Sequence, residues 1–436
     1  MTRKSAPAAE AGALDPAGLF ARLAGRRGLI LAVSGGPDST ALMLLVSNWR
    51  ERPPVLVVSV DHGLRPEAAD EARLVGRNAD RLGLPWRIMN VAEPRRSGNL
   101  QDWARRARYA CLTQATREAG FDAIVTAHHQ DDQAETFLLR LARGSGAYGL
   151  TAMREEEPLG PVTLLRPLLG VSRAMLQAIV AESGLAFAVD PSNSDLRFDR
   201  VRMRALMPLL AEHDVDATRL AETARRLGRA AEALDHYAGK FLQQHFAADP
   251  FGVVSGSLEK FAELPEEVAL RALARILKVV GGAEYTPPLA GIEALRDAMI
   301  ACAGEDLKRT LSGVVVSLTG QTLTAEREWG RNGIAEAAAP AGATLLWDGR
   351  FRVEVPRLAG ALQIGALGRS PRRLSARAAA SSALRTLPGL FQDGTLVAIP
   401  SALAHAEMGD TIDILPVECI VGQRLGLGRD DRRAPQ

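Results

Sequence analysis

The feature that most constrains the fold is an alternation, in the first half of the chain, of short apolar runs with helical segments. Four runs carry it: residues 28–33 (GLILAV), 55–60 (VLVVSV), 86–91 and 123–127 (AIVTA). Strands that alternate with helices of this length form a parallel sheet, because each helix returns the chain to the edge where the next strand begins. The sequence therefore predicts an α/β domain: an open parallel sheet with helices on both faces.

The remainder of the chain predicts a different architecture. It becomes mainly helical after residue 211, and short strand patterns return near the C-terminus, beyond a stretch rich in alanine, glycine and proline. The predicted organisation is a tail (1–24), the parallel-sheet domain (25–211), a mainly helical domain (212–331), a linker (332–343), a small α+β domain (344–427) and a tail (428–436).

Composition excludes several classes of protein. The formal net charge is +2 for 436 residues, so any nucleic-acid surface must come from local patches. No apolar run approaches the roughly 18 residues that span a bilayer, which predicts a protein outside the membrane. The three cysteines lie far apart and form no CxxC pair, which favours a reducing compartment and a cytoplasmic protein.

Three polar motifs directly follow predicted strands: SGGPDS at 34–39, DHGLR at 61–65 and HHQDDQAE at 128–135. Ligands of open parallel sheets bind beyond the carboxyl ends of the strands. We therefore expect the three motifs to converge on one ligand site.

The SGGPDS motif has the chemistry of a phosphate loop. Two glycines let backbone N–H groups approach an anion, and the helix that follows adds the positive end of its dipole. Asp38 repels phosphate, so its natural role is to hold a Mg²⁺ ion between phosphates, although it could instead cap the helix. The Walker pattern GxxxxGK[ST] is absent.

The third motif places two carboxylates near the start of a helix at the same edge. Asp132 and Glu135 are three residues apart, and beside a triphosphate they require a cation, either Mg²⁺ or a substrate ammonium group. The simpler alternative is that they only favour the helix dipole. His62 and His128 could each hydrogen-bond a phosphate or be structural.

SGGPDS resembles the signature of the N-type ATP pyrophosphatases, the PP-loop family, which cleave ATP between the α- and β-phosphates. VDHGLR at 60–65, AHHQDDQAET at 127–136 and DPSN at 190–193 are similar to motifs of one branch, the tRNA(Ile)-lysidine synthetases. The resemblance implies a ligase that joins free L-lysine to C2 of the wobble cytidine of an isoleucine tRNA with a CAU anticodon. ATP and Mg²⁺ are then required, an adenylated cytidine is the intermediate, and AMP and pyrophosphate are released.

The resemblance and the arginine clusters together assign candidate site residues. The resemblance implies that the domains 212–331 and 344–427 contact tRNA, and it implies no obligate protein partner. Among the arginine clusters, the one within residues 355–392 stands out because this stretch contains no acidic residue. The candidates are Ser34, Gly35, Gly36, Pro37, Asp38, Ser39, Asp61, His62 and His128 for ATP; Asp38 for the metal; Asp38, Asp132 and Glu135 for catalysis; and Arg65, Arg105, Arg108, Arg200, Arg204, Arg372 and Arg373 for RNA.

Three other functions are compatible with parts of the pattern. A tRNA thiolase of the same family would need sulfur-handling cysteines, and an enzyme that amidates a small metabolite would not need an arginine-rich C-terminal extension. A non-catalytic RNA-binding module that senses nucleotides would leave Asp38, Asp132 and Glu135 without a role.

Overall fold

The computed structural model describes most of the chain and divides it into two compact units, Met1–Arg229 and Ala230–Gln436. The residues described are 14–63, 68–91, 100–189, 197, 199–283, 285–302, 305–358, 360–369, 382–400, 403 and 413–427. Within these ranges no helix is long and apolar enough to cross a membrane.

The first unit is built on a six-stranded sheet in the order β3-β2-β1-β4-β6-β5. Every neighbouring pair is parallel except β5 with β6, which form an antiparallel hairpin at the edge. The prediction of an open, mostly parallel sheet is confirmed. The strands are β1 (Leu29–Ala32), β2 (Val55–Asp61), β3 (Trp86–Asn90), β4 (Ala123–Val125), β5 (Glu156–Leu159) and β6 (Val162–Leu165).

Helices cover both faces of this sheet, as its alternating side chains show. Leu29 and Leu31 belong to one buried cluster together with α2 and α6, whereas Ile30 packs in another with Leu112 of α4. Phe20 and Leu23, in the segment expected to be an N-terminal tail, are buried in the first cluster. The helices are α1 (Pro16–Leu19), α2 (Pro37–Ser47), α3 (Ala68–Arg81), α4 (Leu100–Glu118), α5 (Gln130–Ala142), α6 (Arg173–Ser183) and α7 (Asp199–Ala211).

A 29-residue helix, α8 (Ala217–His245), runs from the first unit into the second. In the second unit it is followed by α9 (Leu258–Ala262), α10 (Glu266–Val280) and α11 (Leu289–Ala301). A five-stranded antiparallel sheet in the order β7-β8-β11-β10-β9 shares one buried cluster with these helices. Its strands are β7 (Phe246–Ala248), β8 (Val254–Ser257), β9 (Leu307–Leu311), β10 (Val314–Thr319) and β11 (Thr322–Arg327).

Two small sheets, ordered β12-β15-β16-β17-β18 and β13-β14-β19, follow with a shared core. Strand β12 lies in the segment 332–343 expected to be a linker, and it pairs with β15. The strands are β12 (Ala337–Ala338), β13 (Thr344–Trp347), β14 (Phe351–Glu354), β15 (Leu362–Ala366), β16 (Pro388–Gln392), β17 (Thr395–Pro400), β18 (Asp413–Leu415) and β19 (Val417–Cys419), with short helices at Ser382–Arg385 and Val421–Leu425.

Candidate active site

Hydrogen bonds made by its own side chains shape the loop between β1 and α2. The backbone N–H of Ser34 donates to Ser39 Oγ at 3.2 Å, and Ser39 Oγ in turn donates to the carbonyl of Gly36 at 3.0 Å. Thr40 Oγ1 donates to the same carbonyl at 2.9 Å. Gly36 is the N-cap of α2 and no described side chain caps this helix, so N–H groups of its first turn can bind an anionic ligand, as at other helix N-termini.

Gly35 is required in this loop by its backbone conformation. Its φ of +88° lies in the left-handed region, where a side chain is strained. Its carbonyl accepts from the backbone N–H of Ala188 at 2.8 Å, which fixes the loop against the segment after α6. The backbone conformation of Gly35 and this hydrogen bond together shape the loop.

Asp38 is the one acidic residue in the first turn of α2. Its Oδ1 atom is buried and has no hydrogen-bond partner among the described residues, while Oδ2 lies 3.5 Å from Nε2 of His129. A buried carboxylate oxygen without a partner is costly unless a ligand completes it. The atom thus marks a position for a cation or a hydrogen-bond donor.

At the end of β2, Asp61 accepts from the backbone N–H of Gly63 at 2.8 Å, so its side chain serves the turn. Within the part of the chain that the structure describes, both ring nitrogens of His62 are buried and lack hydrogen-bond partners, as does Nε1 of Trp103 in the first turns of α4. The two rings lie 6.2 Å apart between centroids. Three unpartnered nitrogens at this edge of the sheet are suited to a polar ligand.

His62 and His128 are held neutral. Burial, helped by the charge of Arg108, lowers the pKa of His62. Burial, together with the charges of Arg166 and Arg200, lowers the pKa of His128 to about 3, and Nδ1 of His128 lies 2.8 Å from Thr126 Oγ1. A neutral imidazole offers one donor and one acceptor, so neither residue acts as a fixed positive charge for phosphate.

His129 begins α5 as its N-cap and is only 2% exposed. The ring atom Nδ1 accepts from the backbone N–H of Asp132 at 3.4 Å. The backbone N–H of His129 donates to Asp132 Oδ2 at 3.1 Å. Burial alone would lower the pKa of His129, but Asp38, Asp132 and Asp131 outweigh it and raise this pKa. The imidazole therefore contacts both acidic motifs.

Glu135 lies one turn further along α5 and is buried by α7. Its Oε1 accepts from Nε of Arg204 at 2.7 Å, whereas Oε2 is buried without a partner. Burial raises the pKa of Glu135, and the ion pair with Arg204 opposes that shift only in part. Asp132 and Glu135 thus differ: Asp132 caps a helix and keeps 16% of its side-chain surface exposed, while Glu135 is 2% exposed.

The predicted RNA-contacting arginines fall into three groups. Arg105, Arg108 and Arg200 are exposed on α4 and α7. Arg204 forms the ion pair with Glu135, so it is committed to the carboxylate site. Three more lie outside the described residues: Arg65, Arg372 and Arg373.

The fit of the predicted Mg²⁺ ion can be judged from the side chains. In the described part of the chain, no group of three His, Cys, Asp or Glu residues could hold a metal by itself. Mg²⁺ on a nucleotide needs only one or two carboxylates, because phosphates and water supply the other ligands. The unpartnered Oδ1 of Asp38 fits that requirement.

Sequence reasoning missed His129 and Trp103. His129 and Asp132 have the spacing of a capping box but not its usual residues, so only the structure shows that they form one. Trp103 carried no signal either, because only the packing shows that Nε1 lacks a partner.

Comparison with known proteins relates this geometry to a family. A family model described as a PP-loop domain matches residues 14–210. A tRNA(Ile)-lysidine synthase of Rhodopseudomonas palustris is 44% identical over 320 residues, which cover 70% of this chain and 92% of that protein. The chain belongs to the tRNA(Ile)-lysidine synthase family. A relative from Methylobacterium nodulans is 45% identical over 309 residues, covering 69% of this chain and 90% of that protein.

The similarity to tRNA(Ile)-lysidine synthases extends beyond the parallel-sheet domain. The protein of Ruegeria pomeroyi is 39% identical over 392 residues, covering 88% of this chain and 87% of that protein. The PP-loop match includes the phosphate loop, His129 and Arg204. The site described above therefore lies wholly within the ATP-using domain of the family.

Proposed function

We propose that this chain is a tRNA(Ile)-lysidine synthase, which joins free L-lysine to C2 of the wobble cytidine in an isoleucine tRNA with a CAU anticodon. The observation that carries the proposal is the contact of Asp38 of the phosphate loop with the Asp132 cap of α5 through His129. It brings an anion-binding helix N-terminus beside acidic groups that can bind an ammonium ion. Such a site suits a reaction that consumes ATP and an amine.

In the first step, O2 of the cytidine attacks the α-phosphorus of ATP and pyrophosphate leaves. The role we assign to the loop is to bind the phosphates through the N–H groups at the start of α2. Asp38 Oδ1 would hold Mg²⁺, which neutralises negative charge on the phosphates when it is bound. Ser34, Gly36 and Ser39 shape the loop through their mutual hydrogen bonds.

In the second step, the ε-amine of lysine attacks C2 and AMP leaves with the former O2. The ε-ammonium group has a pKa of about 10.4 and must lose a proton before it attacks. Glu135 Oε2 is buried without a partner, and the raised pKa of this carboxyl makes it a better proton acceptor than a solvated glutamate. We assign it ammonium binding and proton removal, with Asp132 as the second carboxylate.

The RNA is proposed to approach from the same edge of the sheet. The unpartnered Nε1 of Trp103 offers a hydrogen bond to a nucleotide that has left its stack, as bases in single-stranded loops readily do, whereas His62, like Asp61 and His128, remains a predicted ATP contact. Arg105, Arg108 and Arg200 are exposed where phosphates could bind. Arg65, Arg372 and Arg373 remain predicted contacts, as do the tRNA-binding roles of 212–331 and 344–427. We also propose a cytoplasmic location, because the proposed substrate is a tRNA.

The test is incubation with ATP, Mg²⁺, radiolabelled lysine and unmodified tRNA, followed by digestion to nucleosides. The proposal predicts label in a cytidine-derived nucleoside and one AMP per lysine incorporated. A tRNA whose wobble cytidine is replaced by uridine is the matched control and should accept no label. ATP consumption that needs sulfide or glutamine in place of lysine would instead indicate a thiolase or an amidating enzyme.

A further inference from the structure

His129 lies where the two acidic motifs of the site meet. It is 2% exposed, and its ring is surrounded by carboxylates from α2 and from the first turn of α5. A helix N-cap is normally a short residue such as serine, threonine, aspartate or asparagine, which reaches only its own helix. A histidine at this position can do more, because its second nitrogen extends beyond the cap.

The hydrogen bonds assign a separate task to each ring nitrogen. Nδ1 lies 3.4 Å from the backbone N of Asp132 and 3.6 Å from Asp131 Oδ2, and it accepts from the Asp132 N–H when the ring proton is on Nε2. Nε2 faces Asp38 Oδ2 at 3.5 Å and Asp132 Oδ2 at 3.6 Å. Asp131, the third carboxylate nearby, has its Oδ2 bound by the backbone N–H of Arg173 at 2.8 Å.

The consequence appears at Asp38. One of its oxygens faces His129, and the other, Oδ1, is buried with no partner. A carboxylate held at one oxygen cannot rotate freely, so the position of its second oxygen is restricted as well. We propose that His129 is a positioning residue for ATP binding: it links the cap of α5 to Asp38 and holds Asp38 Oδ1 toward the nucleotide. This rests on the proposed use of ATP at the loop.

The test separates capping from bridging. Serine and asparagine cap helices well but are too short to extend from the cap to Asp38, whereas glutamine caps poorly but carries an N–H group at about the distance of Nε2. If His129 only caps α5, the His129→Ser and His129→Asn variants will bind the nucleotide more tightly than the His129→Gln variant. If it bridges, the order reverses.

The measurement is calorimetric titration of each full-length variant with ATP and Mg²⁺, without tRNA or lysine, alongside its Tm. A charge-assisted hydrogen bond is worth about 1.5–3 kcal/mol, so we expect His129→Ser and His129→Asn to bind ATP roughly 10- to 100-fold more weakly. His129→Gln should remain within about threefold of the parent, since it keeps that bond. Ser172→Ala, which removes the N-cap of α6, should lower the Tm and leave ATP affinity unchanged.

Ser and Asn variants that bind ATP as tightly as the Gln variant would overturn the proposal, as would a Gln variant that is as weak as they are. Two short variants are used so that misfolding of one leaves the comparison intact. A parent protein that binds ATP but incorporates no lysine would reject the proposed function while this ranking still decides the role of His129. A parent that does not bind ATP would overturn both.

Discussion

Arg204→Met should destabilise the protein in a way that depends on pH, because it leaves the Glu135 carboxylate buried and alone. The pair joins Arg204 Nε to Glu135 Oε1 at 2.7 Å, and Glu135 is 2% exposed. Removing one partner of a buried pair costs about 3–5 kcal/mol. The Arg204 side chain is 33% exposed, so water screens part of the interaction, and we expect about 2–3 kcal/mol at pH 8.

The sign of the pH dependence follows from the direction of the pKa shift. Burial raises the pKa of Glu135, and loss of Arg204 removes the group that opposes this shift. A carboxyl with a raised folded-state pKa supports folding only when protonated. Its contribution is fully present below the unfolded-state pKa of about 4.3 and is lost as pH rises through the folded-state pKa. The penalty of Arg204→Met should therefore be small near pH 4.5 and largest at pH 8.

Urea unfolding at the two pH values, followed by circular dichroism, measures this penalty. Arg202→Met is the matched control on the same helix, since the Arg202–Asp199 pair is exposed and should cost less than about 1 kcal/mol. Adding Glu135→Gln to Arg204→Met should restore most of the stability by removing the buried charge. A loss for Arg204→Met that equals the control, or that does not change with pH, would refute the reasoning.

Four further predictions concern the edge of the sheet. Gly35→Ala, at a φ of +88°, should cost about 1–2 kcal/mol in urea unfolding and abolish ATP binding by calorimetry. Asp38→Asn should stop pyrophosphate release while tRNA binding in a filter assay is unchanged; retained turnover would reject its role. Trp103→Phe keeps the ring but loses the N–H group, and should raise the KM for tRNA roughly tenfold with little change in Tm. His128 has a pKa lowered to about 3, so it stays neutral in the folded state while the unfolded chain binds a proton below about pH 6.5. The free energy of unfolding should therefore fall as the pH drops below about 6.5. His128→Gln should reduce that slope by up to about 1.4 kcal/mol per pH unit.

The parallel sheet and the position of the phosphate loop could be predicted because their signals are local. An apolar run of strand length followed by a helix repeats along the chain, and SGGPDS follows the first run. Parallel topology then places the end of every strand at one edge, so the convergence of the Asp38 and Asp132 motifs followed without any knowledge of their contacts.

The contacts within the site could not be predicted, since they depend on residues far apart in sequence. The spacing of Asp132 and Glu135 gave no sign that Arg204, from a helix about 70 residues later, would bury only the second of them. In α5, Leu141 falls at helical spacing from the buried Ala134 and Phe137, yet it is 52% exposed near the end of the helix. Periodicity predicts which face of a helix is apolar, but tertiary packing decides how much of that face is buried.

ATP labelled at its α-phosphorus shows directly whether the loop after β1 presents the α-phosphate of ATP to an RNA base. The labelled ATP is incubated with Mg²⁺ and unmodified tRNA, with lysine left out, and the tRNA is recovered by acid precipitation. We expect label to become attached to the tRNA with release of an equal amount of pyrophosphate, and added lysine to discharge it as AMP. Labelled ADP, with no label on the tRNA, would rule out this role of the loop.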